Sequence, residues 1–150
     1  MHQDHLFRRR LRVSQLDALR AWTDPDILSL WFWPGADDTV HLLPAQRGDS
    51  YSITSRSRGV SFSGVCLDLD LHGFDLTWHI DGLGFHHEGF DTLSVRLFER
   101  AEGGIDLALS YTVNSAISGR VSQLWVPPLD RLSALDPRTL SLAGFGSWVA

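Results

Sequence analysis

From Thr39 to Val113, apolar and polar residues alternate with period two, and the runs are separated by short breaks that contain glycine. Successive side chains of a strand point to opposite faces, so each run buries one face and wets the other. The breaks are too short for a helical crossover, which makes the region an antiparallel meander rather than a chain of β-α-β units. The spacing predicts strands over Thr39–Leu43, Asp49–Ser55, Val60–Leu71, Phe74–Asp81, Gly89–Glu99 and Ile105–Val113. Ser57-Arg58-Gly59, His72-Gly73, Asp81-Gly82 and Glu102-Gly103-Gly104 supply the turn residues between them. Within the third run, Val60 and Phe62 share one parity while Val65, Leu67 and Leu69 share the other. A bulge near Gly64 reconciles the two halves, and it leaves Cys66, Asp68 and Asp70 on the water side.

The flanking segments read differently. Phe7 to Val13 is extended, with Phe7, Leu11 and Val13 on one side and Arg9 as the polar exception among them. Ser14 is placed to cap a helix, with Asp17 three residues on and Leu16, Leu19 and Trp22 as its apolar stripe. Asp24-Pro25 opens a second short helix carrying Ile27, Leu28 and Trp31, and Trp33-Pro34-Gly35 ends it. Adjacent prolines can open a helix but not sit deep inside one, so the last helix is expected to start at about Pro127 and to turn Leu129, Leu132 and Leu135 toward the sheet. Leu140 to Ala150, with Phe145 and Trp148, reads as an arm that packs on the domain or reaches a neighbouring subunit. The expected architecture is α+β and helix-grip: a curved antiparallel sheet in the order β-α-α-β6-α, wrapped around a long C-terminal helix. One domain spans 1–150, with its core at about 7–135.

Composition narrows the function classes. A chain of 150 residues, 43% hydrophobic, has enough apolar surface for one core. A net charge of −5 disfavours nucleic acid as a partner, and every basic side chain apart from histidine is arginine. Cys66 is the only cysteine, which excludes an intramolecular disulfide and points to the cytoplasm. No apolar run approaches the ~20 residues of a membrane span, and the first residues lack the apolar segment of a signal peptide. The chain holds no nucleophile elbow, phosphate loop, dinucleotide fingerprint or His-Glu-x-x-His. His86-His87-Glu88 is the sole local cluster of metal-ligand types, too few for a zinc site. No catalytic residue, cofactor or metal is therefore expected.

Some stretches resemble a known superfamily. Ala21-Trp22-Thr23-Asp24-Pro25 with Leu30-Trp31, then Gly64-Val65-Cys66-Leu67-Asp68 running on to Leu76-Thr77-Trp78, resemble the START-like, or SRPBCC, superfamily. Within it the chain is most similar to the family related to the C-terminal domain of the activator of the 90-kDa heat-shock ATPase. The likeness continues through Thr92-Leu93-Ser94-Val95, Gly103-Gly104-Ile105-Asp106-Leu107 and Trp125 with Leu129-Asp130-Arg131-Leu132. That family usually has two glycines before its third strand, where this chain keeps only Gly48.

The resemblance implies a cavity between the sheet and the final helix. Its candidate lining is the aromatic set Trp31, Trp33, Tyr51, Trp78, Tyr111 and Trp125, joined by Leu109, Leu129 and Leu132; the same rings read equally as plain core. If Arg9 faces inward it requires a partner, either an internal carboxylate or a ligand's acidic group. The first functional expectation is a small-molecule binding protein for an apolar, lipid-like or amphipathic ligand. The alternatives are a protein-interaction module, with a chaperone, another protein or a second copy of the chain as partner, and an enzyme of cyclase or hydratase type.

Overall fold

The computed structural model describes residues 3–32, 39–82, 90–113 and 121–140, and it has the helix-grip architecture. Seven strands form one antiparallel sheet in the order β1-β7-β6-β5-β4-β3-β2. The strands are β1 (Gln3–Leu11), β2 (Val40–Leu42), β3 (Ser50–Ser55), β4 (Val60–Asp70), β5 (Gly73–Gly82), β6 (Asp91–Glu99) and β7 (Ile105–Val113). Helices α1 (Gln15–Thr23) and α2 (Pro25–Trp31) follow β1, and α3 (Val121–Ala134) closes the fold. In β6 and β7 the alternation is regular: Leu93, Val95 and Leu97 lie opposite Tyr111, Leu109 and Leu107, and all six are buried. The two-residue connection between β4 and β5 depends on Gly73, whose φ of 143° lies where side chains strain the backbone and whose Cβ would strike the Val95 carbonyl.

Sequence reading and structure part at four places. β1 covers Gln3–Leu11 instead of Phe7–Val13, because it pairs with β7 along its whole length; Val13 is buried just beyond the strand. In α1 the Ser14 hydroxyl accepts from the Asp17 amide at 3.1 Å as expected, but the inward stripe is Gln15, Ala18, Ala21 and Trp22. Leu16 is 46% exposed. Two alanines let the helix lie close to the sheet, and the Gln15 amide group donates to the Leu97 carbonyl of β6 at 3.0 Å.

The irregularity of β4 falls between Cys66 and Asp68, later than the expected site near Gly64. Cys66 consequently keeps the parity of Phe62 and is buried, not exposed to water, whereas Val65 and Leu67 are exposed. Finally, α3 begins at Val121, six residues before the expected start, and contains Pro127 and Pro128. A proline has no amide hydrogen, so the carbonyls four residues earlier, Gln123 and Leu124, lose their helical donors. Burial of Val121, Leu124, Trp125, Leu129 and Leu132 against the sheet and α2 outweighs that loss. Leu135 lies past the last helical residue and is half-buried.

α2 matches its sequence signals: the Asp24 carboxylate accepts from the Asp26 amide at 2.9 Å, Pro25 opens the helix, and Ile27, Leu28 and Trp31 are buried. Trp33, His86, His87, Glu88 and the arm after Leu140 lie outside the described residues. No helix among the described residues is long and apolar enough to cross a membrane.

Candidate functional site: an aromatic chamber and its groove

Where α3 crosses the sheet, large rings from five elements and from Phe32, just past α2, meet around Trp125, which is fully buried. Trp125 lies 5.2 Å from Trp78 of β5, 6.3 Å from Trp22 of α1, 6.2 Å from Phe32 and 6.0 Å from Tyr111 of β7, measured between ring centroids. Tyr51 of β3 stands 5.8 Å from Trp78, and Phe74 stands 5.3 Å from Trp22. These spacings are those of packed aromatic pairs. The rings border a chamber of about 30 Å³, walled by Trp22, Phe32, Tyr51, Phe74, Trp78 and Trp125 with Thr23 and smaller apolar side chains between them. One water needs roughly 10–15 Å³, so the space admits an atom or two, well short of the roughly 300 Å³ of a drug-sized site.

A second space adjoins it. An open groove of about 510 Å³ is lined by Leu19, Thr23, Leu43, Pro44, Ala45, Leu69, Asp70 and Leu71. Chamber and groove share Thr23, Leu43, Pro44 and Leu69. The groove thus runs over the end of α1, the connection from β2 to β3 and the turn from β4 to β5. That connection is fixed from within: the Asp49 carboxylate accepts from the amides of Ala45 and Gln46 at 3.0 and 3.2 Å.

The polar groups in and around the chamber are few. The Tyr51 hydroxyl donates to the Thr77 carbonyl, and burial, with Cys66 nearby, pushes its pKa far above the usual phenol value. The Tyr111 hydroxyl donates to the buried Asp91 carboxylate at 2.7 Å, and burial followed by that bond raises its pKa too. Burial likewise raises the Cys66 thiol, whose sulfur contacts the Asp68 carbonyl at 3.3 Å. A raised thiol pKa means little thiolate, hence little nucleophilic character. The indole nitrogens of Trp22, Trp78 and Trp125 are buried and have no hydrogen-bond partner among the described residues. Trp31 differs, since its indole donates to the Ala21 carbonyl at 2.9 Å.

Of the residues singled out from the sequence, Tyr51, Trp78 and Trp125 reach the chamber wall. Trp31 and Tyr111 pack behind it, while Leu109, Leu129 and Leu132 are buried elsewhere in the core and are not part of the wall. Arg9 does not face the chamber; its guanidinium meets Asp130 of α3 at 3.0 Å, clamping the first strand to the last helix. Sequence reading does not place Trp22, in the last turn of α1, or Phe32, just past α2, at the site, nor the Leu43-Pro44 pair and Leu69 at the rim. Leu43-Pro44 directly follows a strand, and that punctuation was the available signal. Among the described residues no three His, Cys, Asp or Glu side chains come together as a metal site would require.

No protein-family model matches the chain, and no curated protein matches it in sequence. Solved structures do match in shape. The Mll3558 protein of Rhizobium loti superposes with a TM-score of 0.73 at 15% identity, over 89% of this chain and 96% of that one. The CV1439 protein of Chromobacterium violaceum gives 0.70 at 24% identity, over 89% and 96%. DynU16, described as a putative protein in the dynemicin biosynthetic locus, gives 0.68 at 18% identity over 87% of this chain, which spans only 45% of that one. At these identities the likeness is one of fold.

Proposed function

We propose that the protein binds a small apolar molecule of START-like type, with its body in the groove and its tip directed at the aromatic chamber. One observation carries the reading: groove and chamber share four residues of wall, so an apolar molecule resting in the groove lies directly against the aromatic core. The ionisable groups near the chamber suit a binding role. Tyr51, Tyr111 and Cys66 are all held toward their neutral forms, which disfavours proton transfer at neutral pH. Tryptophan emission gives the test. A panel of naphthalene and anthracene dyes is expected to quench the fluorescence and raise Tm as concentration exceeds Kd. Ala45→Trp, at an exposed position on the groove, is expected to abolish both effects without lowering Tm.

A second reading is favoured by the small inner volume together with exposed Val40 and Leu42 on strand β2, which is an edge of the sheet. In that reading the chain is an interaction module, akin to the domain of the heat-shock ATPase activator that its sequence resembles. A panel that neither quenches nor stabilises would put this reading in first place.

A further inference from the structure

We infer that the ligand is an uncharged molecule bearing a hydrogen-bond acceptor, a carbonyl oxygen above all, and that this oxygen enters the chamber among the indoles of Trp22, Trp78 and Trp125. The inference rests on the binding reading above and specifies its chemistry. Most buried polar groups in folded proteins have a partner. Here three tryptophans that line one chamber carry indole nitrogens with no partner among the described residues, and each of these side chains is more than nine-tenths buried. An indole N–H can only donate. The tyrosine protons nearby are already engaged, Tyr51 with Thr77 and Tyr111 with Asp91. Edge-on contact with a neighbouring ring satisfies an indole N–H only weakly. What the chamber calls for is therefore an acceptor.

Size and charge restrict it further. About 30 Å³ accommodates an oxygen and the carbon that bears it, but no ring, while the groove holds the remainder. Among the described residues no Arg or His lines either space, and the one charged side chain on the groove is Asp70. A carboxylate would lose its hydration without gaining a cation and would meet Asp70 on the way in. An amine or ammonium would bring donors to donors. A neutral ketone, ester or quinone-like carbonyl suits both spaces.

Three probes of one shape separate the outcomes: acetylnaphthalene, ethylnaphthalene and naphthoate, each titrated by tryptophan quenching and by proton–nitrogen NMR of the indole N–H groups. The ketone is expected to bind about tenfold more tightly than the hydrocarbon, the worth of one good buried hydrogen bond. It should move at least one resonance among Trp22, Trp78 and Trp125 downfield and leave that of Trp31 in place. Trp78→Phe, which keeps a ring and removes a donor, should narrow the preference; the wild-type resonances carry the test if that variant folds poorly. Equal affinity for ketone and hydrocarbon with unmoved indoles, or tightest binding of naphthoate, overturns the inference and leaves the groove reading standing. No binding by any probe, or binding that Ala45→Trp does not alter, overturns the groove reading and this inference with it.

Discussion

The Asp91 side chain is fully buried, and a buried polar group is tolerated only where it has hydrogen-bond partners. Tyr111 supplies one of them from the next strand. Tyr111→Phe removes that donor and little volume, so it should destabilise the fold by about 1–3 kcal/mol in a urea titration. A loss under about 0.5 kcal/mol would mean that the bond contributes nothing net. The outer face offers a contrasting carboxylate. Asp75 loses some hydration, which by itself raises its pKa, but hydrogen bonds from Arg96 and Ser94 and the Arg96 charge outweigh this and the net shift is downward. A depressed folded pKa stabilises the protein above the unfolded value of about 3.9, and the contribution disappears as pH falls through the lower folded value. Asp75→Asn should therefore cost up to about 1 kcal/mol at neutral pH and nothing in strong acid. Melting curves of the two proteins that stay apart down to pH 2 would contradict it. Residue-scale facts such as these were hidden in the sequence. Parity placed Cys66 outward because nothing in Val60–Asp70 marks which residue the bulge skips.

Elements were more legible, and the errors have physical causes. The strand runs and both N-caps were readable because alternation and capping chemistry are local signals. The start of α3 was misread because intrinsic propensity argued against two mid-helix prolines, and burial of Trp125 and its neighbours overrode that propensity. The conflict predicts a stabilising change. Pro127 is exposed, so Pro127→Ala should restore a helical hydrogen bond at no loss of packing and raise stability by about 2 kcal/mol, after allowance for the freer unfolded chain. An unchanged or lower Tm would show that the helix has adapted to the ring. Leu132→Ala should cost about 2–5 kcal/mol, since Leu132 is 1% exposed beneath the same helix. In α1 the sequence offered leucines and the fold chose alanines. Ala18→Leu should overpack by about 1–3 kcal/mol, whereas Leu16→Ala should change stability by less than about 0.5 kcal/mol.

At the scale of the whole molecule, the sheet and its helix were foreseeable and the chamber was not. Period and parity tell which side chains face inward, but not whether inward rings touch. Here they do, and the larger space opens at one end of the sheet, where the rim residues Leu43, Pro44 and Leu69 come from segments far apart in sequence. The sheet order has a consequence for how the chain is made. β1 precedes the other strands in the chain, yet its only sheet neighbour among the described residues is β7, with Gln3 opposite Val113 and Leu11 opposite Ile105. At roughly 5–20 residues per second the ribosome leaves β1 without its mate for on the order of ten seconds. During that interval a bare strand is exposed to every other nascent chain nearby. Arg8, Arg9, Arg10 and Arg12 lie along or just after it, and a cluster of positive charge is what keeps an unpaired strand from joining a neighbour. Positive charge along β1 is thus present before its partner strand is translated, when an unpaired edge is most open to another chain.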